Sequence, residues 1–127
     1  MTDYKDINDL SAAVIKAATE VHQIIGPGML ESVYQECLSH ELELRGIPFE
    51  SQKKLPIEYK DTKLDSGFRL DFVVDDRLII ELKSNDSLQP ADEARLMTHL
   101  VLNGTEAGLL INFNVPIIKD GIKEVKN

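Results

Sequence analysis

Asp71, Glu81 and Lys83 are the residues in this chain whose types and spacing could do chemistry together. They lie in residues 64–84, LDSGFRLDFVVDDRLIIELKS, where two apolar runs, 68–74 and 78–82, are separated by Asp75-Asp76-Arg77. Both runs are rich in β-branched and aromatic residues and are bounded by turn formers, which predicts adjacent antiparallel strands. Side chains alternate along a strand. The even positions Phe68, Leu70, Phe72, Val74, Leu78, Ile80 and Leu82 are all apolar and predict a core face. The odd positions carry Arg69, Asp71, Glu81 and Lys83, with Val73 and Ile79 among them, so the second face is charged but partly covered.

Register decides whether the charges meet. With a three-residue loop, Val74 pairs with Leu78 and Asp71 lies opposite Glu81. A two-residue loop would set Asp71 against Ile80 and mix charged with apolar side chains on both faces. A one-residue slip flips every side chain, so burial selects the three-residue register. Directly opposed residues have Cβ atoms about 4.5–5.5 Å apart, where two carboxylates repel. A hard divalent cation between them removes that penalty. The bland alternative is a solvated strand face carrying ion pairs.

The elements that must hold this hairpin follow from periodicity. Residues 7–25 carry Ile7, Leu10, Val14, Ala17, Val21 and Ile24 at helical spacing, and Gly26-Pro27-Gly28 ends that helix. His22 falls beside the stripe, at the surface or its boundary. A second helix, residues 29–45, has Leu30, Val33, Tyr34, Cys37, Leu38, Leu42 and Leu44 on its apolar side. Glu31, in its first turn, suits a helix N-terminus electrostatically and neighbours Tyr34. Cys37 reads as a buried inert thiol, and His40 as surface. Residues 47–59 predict an extended strand, with Lys53, Lys54, Lys60 and Lys63 either decorating an edge or facing phosphate. A third helix spans 91–103, with Ala94, Met97, Leu100 and Val101 buried and Arg95 and His99 sharing another side. Residues 108–113, GLLINF, predict a buried strand, and Pro116 onward a tail.

The chain has 127 residues, suited to one domain over 1–127, and a net charge of −8. Phosphate grippers are usually basic, so nucleic-acid binding would need a local patch, a bridging metal ion or a partner. One cysteine excludes an internal disulfide and fits a reducing compartment. The N-terminal stretch Met-Thr-Asp-Tyr-Lys-Asp is polar, with no signal-peptide core behind it, and no apolar run reaches membrane-spanning length. A cytoplasmic location is the expectation.

The order α-α-β-β-β-α-β predicts an α/β fold, a mixed sheet of about four strands flanked by helices. Together with Asp71 and Glu81-Leu82-Lys83 it resembles the αβββαβ restriction-endonuclease-like core of the PD-(D/E)XK nuclease superfamily, with one extra N-terminal helix. Gly28-Met29-Leu30-Glu31-Ser32-Val33-Tyr34, Phe68-Arg69-Leu70-Asp71, Ile80-Glu81-Leu82-Lys83 and the stretch from Gly108 to Pro116 also resemble blocks of the bacterial GxxExxY proteins, a branch of that superfamily.

The resemblance implies a metal-dependent phosphodiesterase on DNA or RNA. It makes Asp71, Glu81 and Glu31 the ligands of Mg²⁺ or Mn²⁺ and Lys83 the catalytic cation. Arg69, Arg95, His99 and Tyr34 would stand at the substrate. Lys83 beside carboxylates is expected to act electrostatically rather than as a base. Arg95 and His99 depart from the Gln-x-x-x-Tyr that related nucleases carry on this helix. Arg95 could hold a phosphate bidentately, or enter the acidic pair and neutralise it. The second outcome would leave an inactive nuclease-fold protein that binds another protein. The acidic balance further implies a homodimer or a partner that supplies affinity.

Overall fold

The computed structural model describes residues 4–127, so the first three residues of the polar N-terminal stretch lie outside the described residues. Helix α1 covers Ile7–Ile25 and α2 Glu31–Leu44. Strands follow at Phe49–Lys54 (β1), Ile57–Tyr59 (β2), Thr62–Leu64 (β3), Arg69–Val74 (β4) and Leu78–Lys83 (β5). Helix α3 is Pro90–Asn103, then come β6 (Ala107–Asn112), a 3-10 turn (Ile118–Gly121) and β7 (Ile122–Lys126). The main sheet has five strands in the order β1-β4-β5-β6-β7, and β2 and β3 form a separate hairpin. Among the described residues only β5 and β6 pair in parallel, and α3 is the crossover that such a pair requires.

Both sheet faces are covered. On one, Phe72, Val74, Leu78, Ile80 and Leu82 pack with Leu10, Val14, Val21, Leu38 and Leu42 of α1 and α2. On the other, Val73, Ile79 and Leu110 pack with Leu96 and Leu100 of α3. The close seating of α3 depends on Gly108, where a Cβ would stand 3.0 Å from the Leu96 side chain.

The sheet is thus one strand larger than expected. Residues from Ile122 onward are not a tail: Ile122–Lys126 pairs antiparallel with β6, from Ile111↔Ile122 to Ala107↔Lys126. Exposed Lys123, Glu124 and Lys126 along this edge strand mask its period. The single strand expected over 47–59 is two, because Leu55-Pro56 ends β1 and starts the side hairpin.

Helix phases also shift. Ile24 is 72% exposed. His22 is buried, with Nε2–H donating to the Val115 carbonyl at 2.8 Å. Leu30, just before α2, and Leu44, at its end, are exposed. In α3 the buried residues are Leu96, His99 and Leu100, while Ala94 and Val101 are exposed. Burying His99 turns the helix about its axis.

Candidate active site

The β4–β5 hairpin has the three-residue loop. Val74 pairs with Leu78, Val73 with Ile79 and Phe72 with Ile80. Asp75 and Asp76 take the left-handed conformation that Asp tolerates (φ 51° and 56°), and the Arg77 N–H returns to the Val74 carbonyl at 3.0 Å. Beyond Phe72 the ladder stops. Asp71 fills the gap with its side chain, Oδ2 accepting the Leu82 N–H at 2.7 Å. On the other flank, Ser51 pairs with Phe72 and Lys53 with Leu70, while Gln52 between them is left-handed at φ 53°.

This irregularity corrects the even/odd sorting. Leu70 leaves the face of Phe72 and joins Val73 and Ile79 under α3. Phe68, expected in the core, is 36% exposed and lies against the His99 ring with centroids 4.5 Å apart.

The result is one cleft of about 320 Å³, lined by Glu31, Phe68, Arg69, Asp71, Glu81, Lys83, Asp92, Arg95 and His99. Asp71 and Glu81 share its wall. Glu81 is 8% exposed, and its Oε1 accepts from His99 Nδ1 at 2.8 Å. A carboxylate oxygen can only accept, so Nδ1 carries the hydrogen and the carboxylate is fixed in place. Among the described residues, no hydrogen bond or ion pair occupies Asp71 Oδ1, Glu81 Oε2 or the Glu31 carboxylate.

Burial, then the nearby Glu81 and Glu31 carboxylates, push the Asp71 carboxyl up to about 6, against the Leu82 N–H and Lys83, which favour its charged form. The acid cluster is therefore under-compensated.

Glu31 reaches the cleft because one contact fixes the turn before α2 and another ties the first turns of α2 to β4. The Ser84 hydroxyl donates to the Met29 carbonyl at 2.5 Å, and Gln35 Nε2 donates to the Asp71 carbonyl at 3.2 Å. Glu31 nonetheless stays at the rim. Among the described residues no three His, Cys, Asp or Glu side chains converge as a metal-holding group. The donors that fit a hard divalent cation are Asp71 and Glu81, each with one oxygen fixed and one open, and Glu31 adds charge from the edge.

Lys83 and Arg95 meet at a residue that sequence reasoning passed over. Asp92 Oδ1 lies 4.0 Å from Lys83 Nζ and 3.4 Å from Arg95 Nη1. Its Oδ2 accepts the Gln89 N–H at 2.9 Å, closing a capping box at the start of α3. The signal was present as Gln89-Pro90-Ala91-Asp92. Arg95 is thus held on its own helix, and its guanidinium does not fill the space between Asp71 and Glu81. Arg69 lines the cleft and donates to the Gln52 carbonyl at 3.3 Å.

Tyr34 does not stand at the substrate. It is fully buried and stacked on Phe113 at 4.4 Å. Its hydroxyl donates to the Gly26 carbonyl at 2.6 Å and accepts from the Met29 N–H at 3.1 Å. Its work is to latch the α1–α2 turn.

A mixed sheet flanked by helices, with an acid on one strand facing an acid and a lysine on the next, defines the class of restriction-endonuclease-like folds. Residues 8–125 match the PD-(D/E)XK nuclease superfamily, and the chain belongs to it. No curated protein and no solved structure matches the chain. Among the described residues no helix is long and apolar enough to cross a membrane.

Proposed function

We propose that this protein is a metal-dependent phosphodiesterase acting on DNA or RNA, of the GxxExxY branch of its superfamily. The observation that carries the reading is the pair Asp71 and Glu81 on one wall, each with an open oxygen, beside Lys83 and free of the Arg95 guanidinium. Asp71 and Glu81 would hold Mg²⁺ or Mn²⁺, which supplies Lewis-acid chemistry for water attack on a phosphodiester.

The chain's own groups have separate tasks. His99 orients Glu81 through its Nδ1–H. Lys83 offsets charge that builds on the phosphate oxygens, and Asp92 holds its ammonium in place. Arg95 and Arg69, at the mouth, meet the flanking phosphates. Hydrolysis joins a water oxygen to phosphorus, breaks the bond to the leaving sugar oxygen and passes one proton from the water side to the leaving side. An acidic surface supports action as a homodimer or with a partner protein that adds affinity. The single free Cys37 fits a cytoplasmic setting.

One observation favours a second reading. Glu31 does not close a three-group ligand set, as would hold in a nuclease-fold protein that binds another protein and has lost its metal. Thermal unfolding with and without millimolar Mn²⁺ separates the two. The enzyme reading expects a rise of several degrees in wild type and none in Asp71→Ala. No rise in wild type, or an equal rise in Asp71→Ala, sinks it.

A further inference from the structure

The cleft has features that choose between kinds of nucleic acid, and the inference drawn from them rests on the nucleic-acid reading above. Its paired acids are recessed, with Glu81 only 8% exposed and bonded to the edge of the His99 ring at Nδ1, and Asp71 half-buried. A stiff duplex presents phosphates on a convex surface, whereas a flexible strand can bend one inward. The cations at the cleft are Arg69, Lys83 and Arg95, and the whole chain carries a net charge of −8. A duplex, with one charge per about 1.7 Å of axis, would press most of its length against an acidic surface. A strand of a few nucleotides would not.

Phe68 supplies the second part. It is 36% exposed at the cleft, beside Arg69, with one side of its ring on His99. His99 is itself held by Glu81, so the ring rests on a fixed support. An exposed aromatic face set next to arginines is the arrangement on which unpaired bases stack, and stacking tolerates any base.

We propose that this cleft takes single-stranded nucleic acid, with the base beside the scissile phosphate stacked on the open side of Phe68.

The test is fluorescence anisotropy with a labelled ten-nucleotide strand, as DNA and as RNA, and with the DNA strand annealed to its complement. Ca²⁺ replaces Mg²⁺ so that the strand stays whole. The single strand is expected to bind at least about tenfold tighter than the duplex. Phe68→Leu keeps an apolar cover over His99 but removes the π-face. It should weaken single-strand binding about tenfold, while Phe68→Trp restores it and both keep the wild-type melting temperature within about 2 °C. Three cations predict a slope of about −2 for log affinity against log salt.

Equal or tighter binding of duplex, no effect of Phe68→Leu at unchanged melting temperature, or no binding of either strand overturns the proposal. Phe68-dependent binding without cleavage in Mg²⁺ or Mn²⁺ supports it and removes hydrolysis instead. Cleavage that ignores Phe68 does the reverse.

Discussion

At its turn end the β4–β5 hairpin is closed by backbone pairing and apolar side chains on both faces. At its other end it is closed by side chains carrying charge. Phe72, Val73 and Val74 pair in register with Ile80, Ile79 and Leu78, and all six are buried. One residue further, the Leu82 N–H bonds to the Asp71 carboxylate, and Glu81 bonds to His99. The same two strands thus serve first as core and then as a site. The site lies where the ladder lapses, because a backbone group freed from pairing can fix a side chain instead. Stability belongs to the first end, and the second is where groups are held in an arrangement unfavourable to the fold alone.

That contrast can be broken by mutation. The largest effect is expected at the turn end. Ile80→Ala opens a cavity in a fully buried position and should lower stability by about 2–5 kcal/mol in urea unfolding, with Mn²⁺ affinity unchanged in the folded fraction. A similar loss of metal affinity would mean that the two ends are not separable.

Next is the support of Glu81. His99→Ala should weaken Mn²⁺ binding about 10–100-fold by calorimetry, and His99→Asn, which keeps a donor, should recover part of it. Equal loss in both variants would indicate packing rather than orientation.

The smallest effect has the opposite sign. Asp71→Asn keeps an acceptor for the Leu82 N–H and removes a poorly compensated charge. Without metal it should stabilise the protein by about 1–2 kcal/mol at pH 7, a figure reduced for screening by water at the open cleft. Its pH dependence follows from the same shift. The Asp71 carboxyl ionises near 6 in the fold against 3.8 when free, so the folded chain holds that proton more tightly. Asp71 therefore favours folding most below pH 4, and loses that contribution as pH rises from about 4 to about 6. The gap between wild type and Asp71→Asn should open across that window and level off above it, read as melting temperature in EDTA.

The hairpin register was legible because apolar residues crowd both strands and only one pairing buries them. The bounds of α1 were legible from its apolar spacing and from Gly26-Pro27-Gly28, and the structure adds a cap at its start, where Asp6 accepts from the Asn8 N–H at 2.9 Å. What escaped depended on partners far along the chain. Tyr34 latches groups close to it in sequence, Gly26 and Met29, but the burial that takes it away from the cleft depends on Phe113, far along the chain. His99 read as a polar helix residue because its burial depends on Glu81 across the cleft. Phe68 read as core because alternation was carried through Asp71, where the strand turns. Lys123 and Lys126 hid β7 by giving an edge strand the look of a charged tail.

The central claim is that Asp71, Glu81 and Lys83 form a hydrolytic site. It is met most directly by incubating the purified chain with end-labelled single-stranded DNA and RNA in Mg²⁺ or Mn²⁺, with EDTA and Lys83→Ala as controls. The account predicts strand cleavage that requires the metal and falls by about 10²-fold or more in Lys83→Ala with metal binding retained. Absence of cleavage with either metal, or cleavage that persists undiminished in Lys83→Ala, would contradict it.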